Sequence, residues 1–382
     1  MSSFLSRRRV LATGAGAALG VGALGATGTP AAAASSAGSR SSSGAEESRT
    51  LDELYQAALA EGGKLVLYQG GDVDSQGNGV RSGFAARFPE IDLKVVVDYS
   101  KYHDVRIDNQ FATDTLVPDV VQLQTLQDFT RWAGQGRLLP YKPAGFSKVY
   151  DSLKDPHGHW TAIAVIGFSY LYNIAAVGAD APKSPLDLID PKWKGRIASS
   201  YPHDDDAVLY LFKLYVDHYG WDWAARFAAQ DVQFARGSNS PGLAVTSGQK
   251  AIGVGGSGSL VPSATAPTQW GVAEGHPFMA WGQRAAILKQ GRNTTAAKLY
   301  LNWQLSTAQQ QSSRNGWSVR TDVTPAGGLQ PVWKYPNANF DGFPRFMADR
   351  AGIERWKQTF ALYFGEVKGE PTPGTLGLHP GA

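Results

Sequence analysis

The stretch LDELYQAALAEGGKLVLYQGG, residues 51–71, decides the fold class. Its first half places apolar side chains on one face of a helix that ends at two glycines. Its second half contains Lys64–Tyr68, a short apolar run that stops at two further glycines, which is typical of a buried parallel strand. The same alternation continues along the chain with short connections. It predicts βαβ units and therefore an α/β fold with parallel strands.

Further elements of this alternation follow from residue 80 onward. We predict helices over 80–88, 102–111, 126–133, 207–219, 223–229 and 295–311, and strands over 93–97, 118–123, 161–172, 251–254 and 285–288. The run 161–172 is long enough to cross from one lobe to another, and 285–288 is predicted to return to the first lobe. The residues 255–267 are rich in Gly, Ser and Pro and are predicted to form a loop.

The N-terminal residues are predicted to be an export signal. Arg7–Arg9 precede an apolar, glycine-rich run and small residues suited to cleavage, so residues 1–34 are predicted to be a twin-arginine-type signal peptide. The alternative is a membrane anchor, which the glycines within the run disfavour. Residues 35–50 lack apolar periodicity and are predicted to be a disordered spacer. We therefore expect a mature protein that is exported to the periplasm or the cell exterior and has no membrane span.

The composition argues against several classes of function. The formal net charge is +3, and Arg7–Arg9 account for it, so a nearly neutral mature chain argues against nucleic acid as a partner. Cysteine is absent, which excludes disulfides, thiolate metal sites and cysteine nucleophiles. The sequence has no nucleophile elbow, no HExxH zinc motif and no P-loop. We therefore predict that the chain is not an enzyme.

Two segments carry a resemblance to a known family. Residues 187–197, DLIDPKWKGRI, and residues 293–306, NTTAAKLYLNWQLS, resemble segments of periplasmic solute-binding proteins of ABC importers. The branch is the one that serves ferric iron, polyamines, thiamine and aminoethylphosphonate. The resemblance implies the type II periplasmic-binding-protein fold, in which two α/β lobes are joined by a two-strand hinge with a ligand cleft between them. Residues 51–160 and 271–382 are then expected to form lobe 1, and residues 161–270 lobe 2.

Candidate ligand-binding residues follow from the position of the predicted loops. Open α/β sheets bind ligands beyond the carboxyl ends of their strands. Polar and aromatic side chains at those ends are suited to hydrogen bonding and stacking. The predicted ligand-binding residues are Gln69, Asp72, Tyr99, His103, Gln122, Gln124, Tyr201, His203, Asp204, Asp206, Gly255, Ser257 and Trp281.

Two of these segments allow alternative interpretations. The acidic run Asp204–Asp206 precedes a helix, where its carboxylates would either face a ligand or cap the helix N-terminus. Residues 253–258 match GxGxxG, but no helix follows, so they are not a nucleotide site. That loop is predicted either to hold ligand oxygens through its backbone amides or to be a simple turn.

The nature of the ligand stays open at the level of the sequence. His103 and His203 lie beside aspartates, a pattern that metals use, but ferric members of the resembled family present two adjacent tyrosines and this sequence has no such pair. We therefore favour a charged organic solute, an amine, a phosphonate or a sugar phosphate, over a metal ion, which stays the less favoured alternative. No residue is predicted as a metal ligand, and no cofactor is predicted. The predicted function is a monomeric receptor that delivers a small solute to the permease of an ABC importer. The alternatives are a secreted hydrolase using Asp204 and Asp206 with a histidine, and a secreted scavenger or interaction protein on the same fold.

Overall fold

The computed structural model describes residues 44–261, 263, 265–313, 315–370 and 377–381. The predicted signal peptide and residues 35–43 of the predicted spacer lie outside them. Residues 44–50 of that spacer pack against the fold: the Glu47 amide donates to the Lys142 carbonyl at 2.8 Å, and the Glu47 carboxylate accepts the Tyr141 hydroxyl at 2.9 Å. None of the helices in the described ranges has the length and apolar character needed to cross a membrane.

Helices and strands alternate through most of the described chain, and every element predicted from the sequence overlaps one of them. The helices are α1 Leu51–Glu61, α2 Asn78–Arg87, α3 Ser100–Thr113, α4 Leu126–Gly134, α5 Ile174–Val177, α6 Asp206–Tyr219, α7 Trp221–Ala228, α8 Ser240–Thr246, α9 Thr294–Leu305, α10 Thr307–Gln311, α11 Gly342–Ala348 and α12 Arg350–Phe364. The strands are β1 Lys64–Gly70, β2 Asp92–Asp98, β3 Val120–Leu123, β4 Thr161–Asn173, β5 Ile197–Ser200, β6 Gln233–Ala235, β7 Ile252–Ser257, β8 Thr268–Gly271 and β9 Met279–Ile287.

The described strands form one mixed sheet in the order β2-β1-β3-β9-β4-β7-β5-β6, with β8 paired to β4. The strands β1, β2 and β3 run parallel, and so do β5, β6 and β7. Two long antiparallel strands, β4 and β9, join these parallel groups. We call the β1–β3 side the first lobe and the β5–β7 side the second lobe. The predicted α/β architecture with a two-strand connection is thereby confirmed.

The first lobe has an apolar core on each face of its parallel strands. Along β1, Leu65 and Leu67 are buried against α1 and α9, whereas Tyr68, the next residue, is buried on the other face against α3 and α4. Successive side chains of a strand point to opposite faces, so a strand covered on both faces is apolar throughout.

The second lobe is built around α6, which is buried along nearly its whole length. Its Phe212 ring lies 5.9 Å from the Phe360 ring of α12, and Tyr210 lies 5.5 Å from Phe343 of α11. The C-terminal helices thus pack in the core of the second lobe. The division of the chain into lobes remains a proposal, and this packing leads us to assign residues 342–364 to the second lobe, not to lobe 1 with the rest of 271–382.

Two local features differ from the predicted elements. The predicted helix 295–311 is divided at Ser306, whose extended backbone (ψ 151°) ends α9 and whose hydroxyl accepts the Gln309 amide to begin α10. The predicted loop 255–267 begins later than expected, because β7 continues to Ser257 by pairing with β4. The glycines there fit a strand end: a Cβ on Gly255, which has a φ of +84°, would lie 2.9 Å from Val208 of α6.

Candidate functional site

A cleft of about 820 Å³ lies between the lobes, at the carboxyl ends of their parallel strands. The first lobe lines it with the loops after β1, β2 and β3, and the second lobe with the loops after β5 and β6 and the end of β7. Its base is the middle of β4, residues 163–166. Ligands of open α/β sheets bind in this position, and cavities of this size accommodate small organic molecules.

Asp72, in the loop after β1, joins the two lobes at one edge of the cleft. Its Oδ2 accepts hydrogen bonds from the Ser238 hydroxyl at 3.0 Å and from the Asn239 backbone amide at 2.8 Å, both in the second lobe. Burial, followed by the nearby Asp205 carboxylate, raises the pKa of Asp72 to about 6, although both hydrogen bonds act in the opposite direction. The lobes are therefore in contact through a carboxyl group that titrates in a moderately acidic range.

Two further contacts bridge the lobes along the same cleft. The Lys101 ammonium of α3 donates to the Asp204 carboxylate and to its backbone carbonyl, each at 2.7 Å. Arg236 of the second lobe also pairs with Asp204, at 3.2 Å. The Gln124 side-chain amide, after β3, donates to Asp205 at 3.1 Å. Polar groups from the ends of three first-lobe strands thus meet the second lobe at defined positions.

The three carboxylates of the acidic run after β5, Asp204–Asp206, have different partners. Asp205 is the N-cap of α6, because its Oδ1 accepts the backbone amides of Ala207 and Val208. Asp206 pairs with Arg350 at 3.0 Å and with Lys357 at 2.9 Å, both on α12. Burial raises the pKa of Asp206, but the charges of Lys357 and Arg350 outweigh it and hold the pKa below its usual value. The capping alternative therefore holds for Asp205, and Asp206 anchors α12 beside the cleft.

The rest of the cleft wall combines neutral polar groups with an apolar base. The polar side comes from the end of α9, from α10 and from the residues that follow it, and the apolar side from β4 and β9. The polar lining residues are Gln304, Gln309, Gln310, Ser312, Ser313 and Asn315, and the large apolar ones are Ile163, Val165, Ile166, Phe168 and Trp281. Amides and hydroxyls of this kind orient a polar ligand without adding charge.

Several predicted ligand-binding residues lie in the cleft wall, and they come from both lobes. All but Trp281, which lies within β9, are in or next to the loops at the carboxyl ends of strands. The predicted residues that line the cleft are Asp72, Tyr99, Gln124, Asp204, Asp206, Ser257 and Trp281. Their role as ligand contacts stays a proposal, and Ser257 and Trp281 already have protein partners in Asn315 and Gln283.

Six predicted residues do not line the cleft, and we withdraw them as ligand contacts. In the first lobe, Gln69 and Gln122 are buried and point into the fold, where they bond to the Gln76 carbonyl and the Tyr300 hydroxyl. The His103 ring stacks on Tyr68 at 4.7 Å, and burial lowers its pKa to about 3.

The other three withdrawn residues belong to the second lobe. Tyr201 is buried and stacks on Phe234, and Gly255 packs against α6. The ring of His203 bonds to the Gly365 carbonyl at 2.8 Å, away from the cleft. Within the residues that the structure covers, no three His, Asp or Glu side chains lie together as a metal site.

Other cleft residues were not identified from the sequence. Gly237–Asn239 follow a three-residue strand, β6, that is too short to give a periodic signal. The sequence does offer one signal for this loop, Ser240-Pro241. Proline is common in the first turn of a helix, so this pair marks the start of α8 and the end of the loop before it. Arg350 and Lys357 come from a helix about 140 residues beyond their partner Asp206, and no local pattern connects them.

Replacing Asp72 with asparagine is expected to remove part of the pH dependence of stability. The pKa of Asp72 is about 6 in the folded protein and near 3.8 ordinarily, so the folded state binds more protons between these values. The free energy of unfolding of the wild type should therefore fall relative to the variant, by about 2–3 kcal/mol, as the pH rises from 4 to 6. Urea unfolding at pH 4, 5, 6 and 7 measures this, and parallel profiles of the two proteins would contradict it.

Part of the chain matches a known protein family, and a larger part matches a known bacterial protein. Residues 102–256 match the family of bacterial extracellular solute-binding proteins. An uncharacterized protein of Haemophilus influenzae is 26% identical over 250 residues, which are 59% of this chain and 71% of that protein.

The fold is shared with solved structures, and two of them illustrate the likeness. The periplasmic binding protein AfuA from Actinobacillus pleuropneumoniae, with fructose-6-phosphate bound, has a TM-score of 0.62 at 17% identity, over 79% of this chain and 99% of that chain. Iron-bound HitA from Pseudomonas aeruginosa has a TM-score of 0.60 at 18% identity, over 78% of this chain and 99% of that chain. At these identities the likeness establishes the fold alone, which is that of type II periplasmic binding proteins.

Proposed function

We propose that this chain, a bacterial solute-binding protein of the type II fold, captures one small polar solute in its interlobe cleft and delivers it to an ABC importer. The family match supports capture of a solute as its task, and the likeness to AfuA and HitA supports a receptor whose lobes close around the ligand. A permease partner and a monomeric state are parts of this proposal.

The contacts that cross the cleft support the proposal. Strand-end loops bound the cleft on both sides, and the contacts of Asp72, Lys101 and Gln124 that join the lobes across it are polar. Polar contacts between lobes are readily exchanged with water, whereas an apolar interface would resist opening. The arrangement therefore suits a cleft that opens to admit a solute and closes over it.

The hydrolase alternative receives no support from the acidic run. A hydrolase needs a free general base and an acid of raised pKa near a bound water. Asp204 is instead paired with Lys101 and Arg236, and Asp206 with two cations that lower its pKa. His203 points away from the cleft. We propose accordingly that the chain does not transform its ligand, and a secreted scavenger on the same fold remains the second candidate.

Export completes the proposed function. A receptor for an importer works outside the cytoplasmic membrane, and the family match supports that location. We propose that the twin-arginine-type signal of residues 1–34 directs this export, although those residues lie outside the described part of the chain. The test is fusion of residues 1–50 to a reporter: export that stops when Arg8 and Arg9 are replaced by lysine supports the twin-arginine route.

Thermal unfolding of the mature protein against a panel of solutes tests the proposed function. The panel contains metal ions, polyamines, amino acids, phosphonates, sugars and sugar phosphates. A ligand at about 100 times its dissociation constant stabilises the folded state by about 2.7 kcal/mol and raises the unfolding midpoint by several degrees. We expect hits from one chemical class, recovered unchanged after incubation. A panel without any shift, or a hit that is consumed, would contradict the receptor function.

A further inference from the structure

The C-terminal part of the chain is fixed in the second lobe as far as Gly365. Helix α12 ends at Phe364, whose ring lies 5.6 Å from the Phe212 ring of α6 and 5.1 Å from the Phe234 ring of β6. The carbonyl of Gly365 then accepts a hydrogen bond from the His203 ring at 2.8 Å. Because these aromatic contacts belong to the core of the second lobe, the end of α12 moves with that lobe.

The last described residues of the chain lie on the first lobe instead. The Arg106 guanidinium of α3 donates to the Gly377 carbonyl at 2.5 Å. About one turn further along α3, the Gln110 side-chain amide donates to the Leu378 carbonyl, also at 2.5 Å. Both donors are buried, with exposed fractions of 4% and 0%. A hydrogen bond from an ionised donor is stronger than a neutral one, and burial keeps competing water away, so this end of the chain is held on α3.

The two attachment points, at Gly365 and Gly377, belong to the parts of the lobes that are furthest from the hinge. In the strand order of the sheet, the hinge strands β9 and β4 are central, β2 is first and β6 is last. Helix α3 follows β2, and the end of α12 packs on β6. A rotation about β4 and β9 moves the two ends of this order further apart than the strands near the hinge. The connection between the attachment points therefore joins the regions that separate most when the cleft opens.

A direct contact between the lobes lies close to both attachment points. Lys101 in the first turn of α3 donates to the Asp204 carboxylate at 2.7 Å. Asp204 is next to His203, which holds Gly365. Lys101 precedes Arg106 by five residues, or about 7.5 Å along α3. With the lobes in contact, the connection between the attachment points therefore has only a short gap to cross.

We propose that the hydrogen bonds of Gly377 and Leu378 to α3 make the C-terminal part of the chain a strap that limits how far the lobes open and so favours the closed cleft. The 12 positions from Gly365 to Gly377 can span at most about 40 Å. Opening has to draw the strap out, which costs conformational entropy, or to detach it from Arg106 and Gln110, which costs two hydrogen bonds. The inference rests on the proposed receptor function and adds a control on its closure.

Spin labels on the two rims of the cleft test the strap without any solute. The chain has no cysteine, so labels attach only at Gly79→Cys in α2 and Gly242→Cys in α8. Gly79 and Leu243, the neighbour of Gly242, line the cleft from opposite lobes, and a Cβ at either glycine meets nothing within 4 Å. Pulsed electron paramagnetic resonance measures the distribution of distances between the labels. For a mature chain that ends at Gly365, we expect this distribution to extend to longer distances than in the full chain.

A lengthened connection distinguishes a strap from a purely local role of the same contacts, and it decides the question even if the shortened chain does not fold. An insert of Gly and Ser as long as the connection itself, between the exposed Lys368 and Gly369, keeps both attachment points and doubles the reach. We expect the same shift to longer distances. The control carries this insert after Ala382, beyond both attachment points, and should behave as the unaltered chain. A shift in the shortened chain alone, in neither variant, or equally in the control would overturn the inference.

Solute binding measures the consequence of the strap for the receptor. With a solute identified by thermal unfolding, the lengthened chain should bind about tenfold more weakly than the control, because a smaller fraction of the protein is closed before the solute binds. It should also release the solute faster. Equal affinities in the two chains would overturn the inference. If no solute is found, the proposed function fails, whereas the label distances still decide whether the strap limits opening.

Discussion

Gly237→Val is expected to weaken solute binding by about 100-fold or more, because it prevents the lobes from closing. Gly237 lies in the second-lobe loop after β6, with a φ of +82°. A Cβ at this position would lie 2.9 Å from the Asp72 Cβ and 3.2 Å from the Tyr99 hydroxyl, both on the opposite lobe. The collision is therefore between lobes, and opening of the cleft relieves it.

The measurement is the dissociation constant of a solute identified by thermal unfolding. The matched control is Gly248→Val in the turn after α8, where φ is +76° and an added Cβ would meet nothing within 4 Å. The control should bind with wild-type affinity, and circular dichroism should show that both variants are folded. If Gly237→Val binds as tightly as the control does, the lobes do not close at this edge when solute binds.

Asp206→Ala is expected to lower the free energy of unfolding by about 3–5 kcal/mol. Asp206 joins α6 to α12, and its removal takes the shared partner from Lys357, which is partly buried, and from Arg350, which is exposed. The loss should be largest at neutral pH. Because the cations hold the pKa of Asp206 below its usual value, its contribution is present above pH 4 and is lost as the pH falls through the lowered value.

Urea unfolding at pH 7 measures this loss. The matched control is Asp222→Ala, which also removes a first-turn aspartate, in α7, but one whose partner Arg226 is 3.7 Å away and whose side chain is 80% exposed. That change should cost less than about 1 kcal/mol. Equal losses in the two variants would mean that α12 is not held to the second lobe through Asp206.

The sequence predicted the architecture well because most of the longer helices and strands have a local signal. The helix 51–61 has its cap and its apolar face within its own residues, and β1 is bounded by glycines. The positions of Asp72, Tyr99 and Gln124 in the cleft followed from a rule about strand ends, which depends only on the order of elements.

The composition of the site was harder to predict, because it depends on which way side chains point and on distant partners. Gln122 and His103 stand near the correct strand ends, yet both point into the first-lobe core. The two cations of α12 reach the cleft through packing of Phe360 on α6, which no periodicity reveals.

The central claim is that one solute is held unchanged between two closing lobes. Calorimetric titration of the mature protein with an identified solute, side by side with Gly237→Val, tests this claim most directly. We expect one solute bound per chain, recovered intact, with an affinity at least about 100-fold weaker in the variant. Equal affinity in the two proteins, or conversion of the solute during the titration, would contradict it.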